Sequence, residues 1–216
     1  MPWLAPVSLV LIFVALFFNW FGMFPGGTPA VTQTGFGVAF GSETVDPIFG
    51  KYYKDDAEAV KDPGVSVLAV FFILVLIPTL LISLGSTLVA KKVIPMEVPA
   101  GLAPFWAFRG LFIGALALAA FFFLVLQIFM GFSLEYKAAT AAKAAATRAV
   151  PNPQTPEDNT HIDMEQGREL GKYNLRTTWW FTLTVLLNVL AIFGAMMDFW
   201  LERRGPQPPP RFELQT

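Results

Sequence analysis

Apolar residues fall into four long stretches, Leu4 to Phe24, Val65 to Ala90, Phe105 to Phe132 and Thr178 to Leu201, set apart by two long polar connections and one short one. A helix rises ~1.5 Å per residue, so about 20 apolar residues cross a ~30 Å hydrocarbon core. Each stretch reaches that length. The pattern predicts an all-α integral membrane protein: one four-helix transmembrane domain over residues 1–205, with outer loops at 25–64 and 133–177 and a Pro-rich C-terminal tail at 206–216. Composition agrees. Hydrophobic residues make up 55% of the 216, and the mean hydropathy is +0.55, too apolar for a soluble domain of this size. The first stretch is longer than the ~7–15 residue apolar core of a signal peptide and has no preceding Lys or Arg. Thr28-Pro29-Ala30 is a poor cleavage site, so a retained span is expected.

The polar connections have their own patterns. Val31 to Phe40 (V-T-Q-T-G-F-G-V-A-F) partly alternates and is rich in β-formers, which predicts a short β-hairpin or extended segment in the first outer loop. Asp55 to Lys61 predicts a helical turn or two, stopped by Asp62-Pro63-Gly64. The third stretch runs without a predicted breaker from Phe132 into the alanine-rich S-L-E-Y-K-A-A-T-A-A-K-A-A-A-T-R, which predicts a helix continuing out of the bilayer to about Arg148. Pro151, Pro153 and Pro156 terminate it, and helix is expected to resume near Asp163 and run through Tyr173 into the fourth span. Spans 3 and 4 would then form one antiparallel hairpin extended beyond the bilayer. The tail G-P-Q-P-P-P-R-F-E-L-Q-T is prone to polyproline II and cannot pack by itself.

Charge orients the chain. Lys91 and Lys92 follow span 2 directly, and Arg203 and Arg204 follow span 4, whereas most of the 16 acids lie in the two long connections. Positive charge beside the membrane favours the cytoplasmic side. Both termini and the 2–3 turn are therefore expected to be cytoplasmic. The six tryptophans, Trp3, Trp20, Trp106, Trp179, Trp180 and Trp200, all fall at span ends, where an amphipathic ring suits the headgroup layer.

Residue types then restrict the chemistry. There is no cysteine, which excludes disulfides, Fe–S clusters, thiolate zinc and a cysteine nucleophile. The single histidine, His161, lies outside every span, so no intramembrane histidine is available to ligate haem. A net charge of −1 gives no sign of nucleic-acid binding. No phosphate loop, nucleophile elbow, metalloprotease motif, dinucleotide fingerprint or internal repeat is present.

Polar residues within the spans are the site candidates, because hydrocarbon penalises them. Arg109 and Asp198 lie at matching depth on consecutive spans, which predicts an ion pair near the inner face. Asn188 is near the middle of span 4, and Gln127 and Asn19 sit in the outer thirds of spans 3 and 1. All three amides are expected to bind helices to one another. Gly110 and Gly114 form a G-x-x-x-G pair that predicts close helix contact, and Pro78 predicts a bend in span 2. Glu157, Asp158, His161, Asp163 and Glu165 form the one cluster with ligand chemistry. Its spacing matches no calcium loop or zinc site, so a solvated acidic segment is expected, with Asp158, His161 and Asp163 as the metal candidates.

The layout of four spans, a β-prone first outer loop at Val31 to Phe40 and a third helix extended outward resembles that of claudin-type tetraspans. The Trp and paired-Cys signature of the claudin first loop is missing, so the resemblance is one of architecture and implies an interaction protein only by analogy. The expected function is that of a non-catalytic structural or accessory subunit of a larger membrane protein complex, energy-transducing assemblies included. Its partners would be the lipid bilayer and other membrane subunits, met through the spans, the 3–4 hairpin and the tail. No cofactor is expected. The alternatives are a small transporter or channel component, a claudin-like tetraspan, and a membrane enzyme whose reactive groups come from the loops.

Overall fold

The structure, a computed structural model, describes residues 3–52, 58–91, 93–94, 106, 108–149 and 156–203, with backbone alone at 52, 149 and 156–158. Its elements run α1 (Leu4–Ala15), β1 (Asn19–Met23), β2 (Val31–Thr34), α2 (Gly35–Phe40), β3 (Thr44–Val45), α3 (Pro47–Tyr52), α4 (Val67–Ala90), α5 (Arg109–Met130), α6 (Ser133–Ala149), α7 (Pro156–Tyr173), β4 (Leu175–Thr177) and α8 (Trp179–Arg203). The chain is mostly helical with one small sheet. The α4 helix, α5 with its continuation, and α8 are each long and apolar enough to cross a membrane. Lys92, Arg204, Pro151, Pro153, the 206–216 tail and positions 55–57 of the Asp55–Lys61 segment lie outside the described residues; within the rest of that segment Glu58 and Ala59 are helical.

The first apolar stretch departs most from expectation. Its helix ends at Ala15 after 12 residues, about 18 Å at ~1.5 Å per residue and short of a bilayer. The rest of the stretch turns and becomes strand β1. The local reason is F-F-N-W-F-G-M-F at 17–24, where aromatic residues favour a pleated surface. The β1 strand pairs with β2 on one side and β4 on the other, both antiparallel, and β3 completes the order β3-β2-β1-β4. The predicted hairpin over 31–40 is therefore displaced. Only Val31–Thr34 is strand, and its principal partner lies upstream in β1. Residues 35–40 form the short helix α2, capped by the Thr34 hydroxyl, which accepts from the Gly37 N–H at 2.9 Å. Gly35 is required there, since a Cβ would lie 2.7 Å from the Trp20 ring.

Two further expectations of continuous helix fail at single residues. Gly131 adopts φ +77°, which breaks the run between α5 and α6. The Glu135 carboxylate accepts from the Phe132 N–H at 3.3 Å and helps start α6. Asn174 has φ +44° and separates α7 from β4, so α7 does not run into α8. Pro156 opens α7 instead of ending α6, because its fixed φ suits a first helical turn. The α6 and α7 helices pack on each other along Leu134, Ala138, Ala142 and Ala146, all fully buried, at a spacing that puts small side chains on one face.

The long helices close a ring: α1 packs on α8 and α4, and α5 packs on the same two. At the end facing the sheet, the ring is filled with aromatic side chains. Trp20 is fully buried, with its ring 5.8 Å from Phe72 and 5.4 Å from Phe181, and its indole N–H donates to the Ala15 carbonyl at 2.9 Å. Phe132 packs 5.4 Å from Phe181 and stacks on Phe21 at 4.4 Å. Trp20 is thus a core residue, contrary to its expected place in a headgroup belt. Trp3, Trp179 and Trp200 are exposed.

Candidate functional site

The opposite end of the ring, which carries Arg109, is built differently. From Thr79 onward α4 buries only hydroxyls: Thr79, Ser83, Ser86 and Thr87. The facing helices contribute Gly110, Gly114 and Ala117 from α5 and Ala191, Gly194 and Ala195 from α8. Their small size permits close approach. A Cβ on Gly110 would lie 3.0 Å from the Ala195 carbonyl oxygen and from the Phe199 Cβ, and one on Gly194 would lie 2.8 Å from the Ala5 nitrogen. The G-x-x-x-G pair accordingly lies against α8.

A polar cavity of about 220 Å³ opens between α1, α4, α5 and α8 at this end. Ser83, Ser86 and Thr87 line one wall, Arg109, Asp198 and Glu202 another, and exposed Lys91 borders the mouth. Two of the hydroxyls already have uses or candidates for use. Thr79 donates to the Val75 carbonyl at 2.6 Å, and the Ser86 hydroxyl donates to the Ser83 carbonyl at 3.1 Å. Among the described residues the Ser83 hydroxyl itself, 1% exposed, has no hydrogen-bond partner.

Arg109 and Asp198 are therefore brought to one cavity, as their matched depth suggested. The carboxylate that Arg109 grips, however, belongs to Glu202, one helical turn beyond Asp198. Arg109 is held further by donation to the Trp106 carbonyl at 3.0 Å and by lying 4.9 Å over the Trp106 ring. The three amides part company. Gln127 is buried near the sheet end, where its oxygen accepts from the Ser66 hydroxyl and its nitrogen donates to the Gly131 carbonyl at 2.6 Å. It ties the start of α4 to the break after α5. Asn188 is fully buried and, among the described residues, neither amide atom has a partner. Asn19 is exposed on β1, not in a helix, and its backbone carbonyl accepts from the Thr178 hydroxyl. His161 and Asp163 are exposed on α7, and the Asp158 side chain is outside the described atoms. Among the described residues no group of three His, Asp or Glu side chains could hold a metal ion.

Sequence reasoning did not single out Ser83, Ser86, Thr87 or Glu202. The available signal was S-L-G-S-T at 83–87, a hydroxyl cluster near the end of an otherwise aliphatic span. It was weak because a helical hydroxyl ordinarily satisfies itself on a carbonyl one turn back.

A second concavity lies at the sheet end. It measures about 850 Å³ and runs between the Pro25–Ala30 turn, the start of α3 and the end of α7. Its apolar surface includes Ile48, Phe49 and Tyr173. Asp46, Glu169 and Lys172 add polar groups. Asp46 is occupied in capping α3, accepting from the Ile48 and Phe49 N–H groups at 2.9 and 3.1 Å, and Lys172 pairs with Glu169. Comparison of the chain with protein-family models, curated proteins and solved structures finds no match.

Proposed function

We propose that this chain is a multi-pass membrane protein acting by contact, a non-catalytic accessory subunit of a larger membrane assembly. The observation that carries this reading is the groove at the sheet end. A concavity with an apolar floor, a polar rim and a strongly exposed Ile48 (69%) has the anatomy of a protein interface. The paired helices α6 and α7 extend from the same end and offer further surface. In this reading the α1 stretch makes a fourth crossing, completed by the turn at 16–18 and by β1. Support for an even number of crossings comes from Ala5, Lys91, Arg109 and Asp198, which line one cavity and so bring the start of α1 and the end of α8 to the same end. Lys91 and Arg203 then mark that end as cytoplasmic.

A photo-crosslinking residue at Ile48, introduced in the native membrane, tests the proposal. The expected product is a covalent adduct with a second, distinct polypeptide that also co-purifies in mild detergent. Absence of any adduct, together with purification as a lone oligomer that moves a solute in liposomes, would favour the transporter alternative and refute the accessory role.

A second reading, a claudin-like interaction tetraspan, is supported by the sheet, because β4 from the second long connection joins, through β1 at the end of the first apolar stretch, the strands β2 and β3 of the first connection. A partner of identical sequence on an apposed membrane would distinguish it from an accessory subunit.

A further inference from the structure

We infer that α2, which the sequence places in a water-facing loop, lies in the membrane leaflet at the sheet end, and that the partner of its exposed face is lipid. The inference rests on the membrane placement of the bundle and is independent of the accessory role. It begins with a shortfall. The α1 helix has 12 residues against 24 in α4, so its side of the ring is too short for the hydrocarbon core. Its exposed face carries Val7, Val10, Leu11 and Val14. A row of four rings continues from α1 onto α2. Phe13 meets Phe17 at 5.8 Å, Phe17 meets Phe36 at 5.0 Å, and Phe36 stacks on Phe40 at 6.4 Å. Phe17 is 61% exposed and Phe40 60%. A contiguous apolar strip of this kind is ordinarily covered, and one continuous with a lipid-facing helix meets the same lipid.

The level of α2 is fixed by α4. The Ser66 N–H, just before α4 begins at Val67, donates to the Val38 carbonyl at 3.2 Å, and the Phe36 N–H donates to the Leu16 carbonyl at 3.2 Å. The α2 helix thus bridges the end of α1 and the start of a membrane-length helix. Both neighbouring segments turn polar at the same place. Exposed Phe40 gives way to exposed Ser42 and Thr44, and exposed Val65 is preceded by exposed Lys61 and Asp62. The Asp62 N–H donates to the Glu43 carboxylate at 3.2 Å and ties the two polar sides together. Near hydrocarbon, backbone polar groups need partners within the protein. Besides the two bonds above, the Gly37 N–H donates to the Thr34 hydroxyl, and the Gly37 carbonyl accepts from the Ser42 N–H at 3.0 Å. Around the rest of the rim, exposed Phe129 near the end of α5, exposed Trp179 at the start of α8, and Phe18 stacked on Trp180 at 4.0 Å form an aromatic belt at the same end of the ring.

The test uses the full chain in phosphatidylcholine vesicles, with single cysteines on its cysteine-free background carrying a nitroxide label. Collision of the label with oxygen, which concentrates in lipid, is compared with collision with a water-soluble nickel chelate. Leu74, exposed on α4, is the membrane reference. Phe40→Cys should favour oxygen severalfold, as Leu74→Cys does, whereas Ser42→Cys should favour the chelate. Val65→Cys should agree with Phe40→Cys, and it carries the test if that variant fails to fold. A label at position 40 that favours the chelate, or that does not differ from one at 42, overturns the inference and leaves the membrane reading intact as long as Leu74→Cys favours oxygen. If Leu74→Cys favours the chelate, both fail. An immobilised label at position 40 that is screened from both reagents means that a second copy of the chain covers α2, which also overturns the lipid assignment.

Discussion

Asn188 offers the sharpest test of how this bundle is held together. It is fully buried in α8, and among the described residues neither its amide nitrogen nor its oxygen has a partner. An unsatisfied buried polar group costs ~1–3 kcal/mol, so two such groups set an upper range of about 2–6 kcal/mol. In a membrane the separated helices also find partners for a polar side chain, and interhelical polar contacts average only ~0.6 kcal/mol, which moves the net effect toward the low end. Leucine has the same branching at Cγ and nearly the same shape, so it introduces neither a large void nor a clash. Asn188→Leu should therefore raise stability by about 1–2 kcal/mol. Asn188→Ala, which removes the amide but leaves a void, should fall below the leucine variant by about 2–3 kcal/mol. Equilibrium unfolding of the detergent-solubilised protein, followed by circular dichroism, measures both. If Asn188→Leu instead lowers stability by more than about 1 kcal/mol, the amide is satisfied within the folded protein and the reasoning fails.

Trp20→Ala should cost about 3–5 kcal/mol in the same unfolding assay, since it removes the ring against which Phe72 and Phe181 pack. Gly110→Leu should destabilise by about 1–3 kcal/mol through overpacking against Ala195 and Phe199. Gly85→Ala, on an open face of α4, should be neutral or stabilising by up to about 1 kcal/mol, and equal losses at the two glycines would contradict the close α5–α8 contact. A double-mutant cycle should find Arg109 coupled to Glu202 by about 0.2–1 kcal/mol, because both side chains keep some exposure, and more strongly than to Asp198. Single cysteines introduced at Trp3 and Arg203, on a chain naturally free of cysteine, should be labelled from the same side of the membrane. Labelling from opposite sides would exclude an even number of crossings.

The membrane-length character of α4, α5 and α8 was legible from the sequence alone, because length and apolarity are local properties. The alanine-rich helix α6 was equally legible, since alanine, lysine and glutamate favour helix in almost any context. The close approach at Gly110 and Gly114 followed from residue size and spacing. The first stretch was not legible in the same way. Phe17 to Phe24 is as apolar as a span, and hydropathy cannot distinguish a helix there from a buried strand. The decision rests on the pairing of β1 with β2 and with β4, more than 150 residues further along the chain. Gly131 and Asn174 were visible as residues, but only their positive φ values make them breaks.

The candidate site divides along the same line. Residue count at ~1.5 Å per residue along two span-length helices leads from the sequence to the expectation that Arg109 and Asp198 lie near one another, and the structure places both on one cavity. Which carboxylate meets the guanidinium depends on the rotation and offset of α5 against α8, and one turn of offset selects Glu202. Likewise, each hydroxyl of α4 is unremarkable along the chain. Only the ring of four helices turns Ser83, Ser86 and Thr87 toward the small residues of α5 and α8 and opens a polar cavity between them. Hydrophobic patterning is encoded in neighbours along the chain, whereas the position of a buried polar group relative to its partners is a property of packing between distant segments.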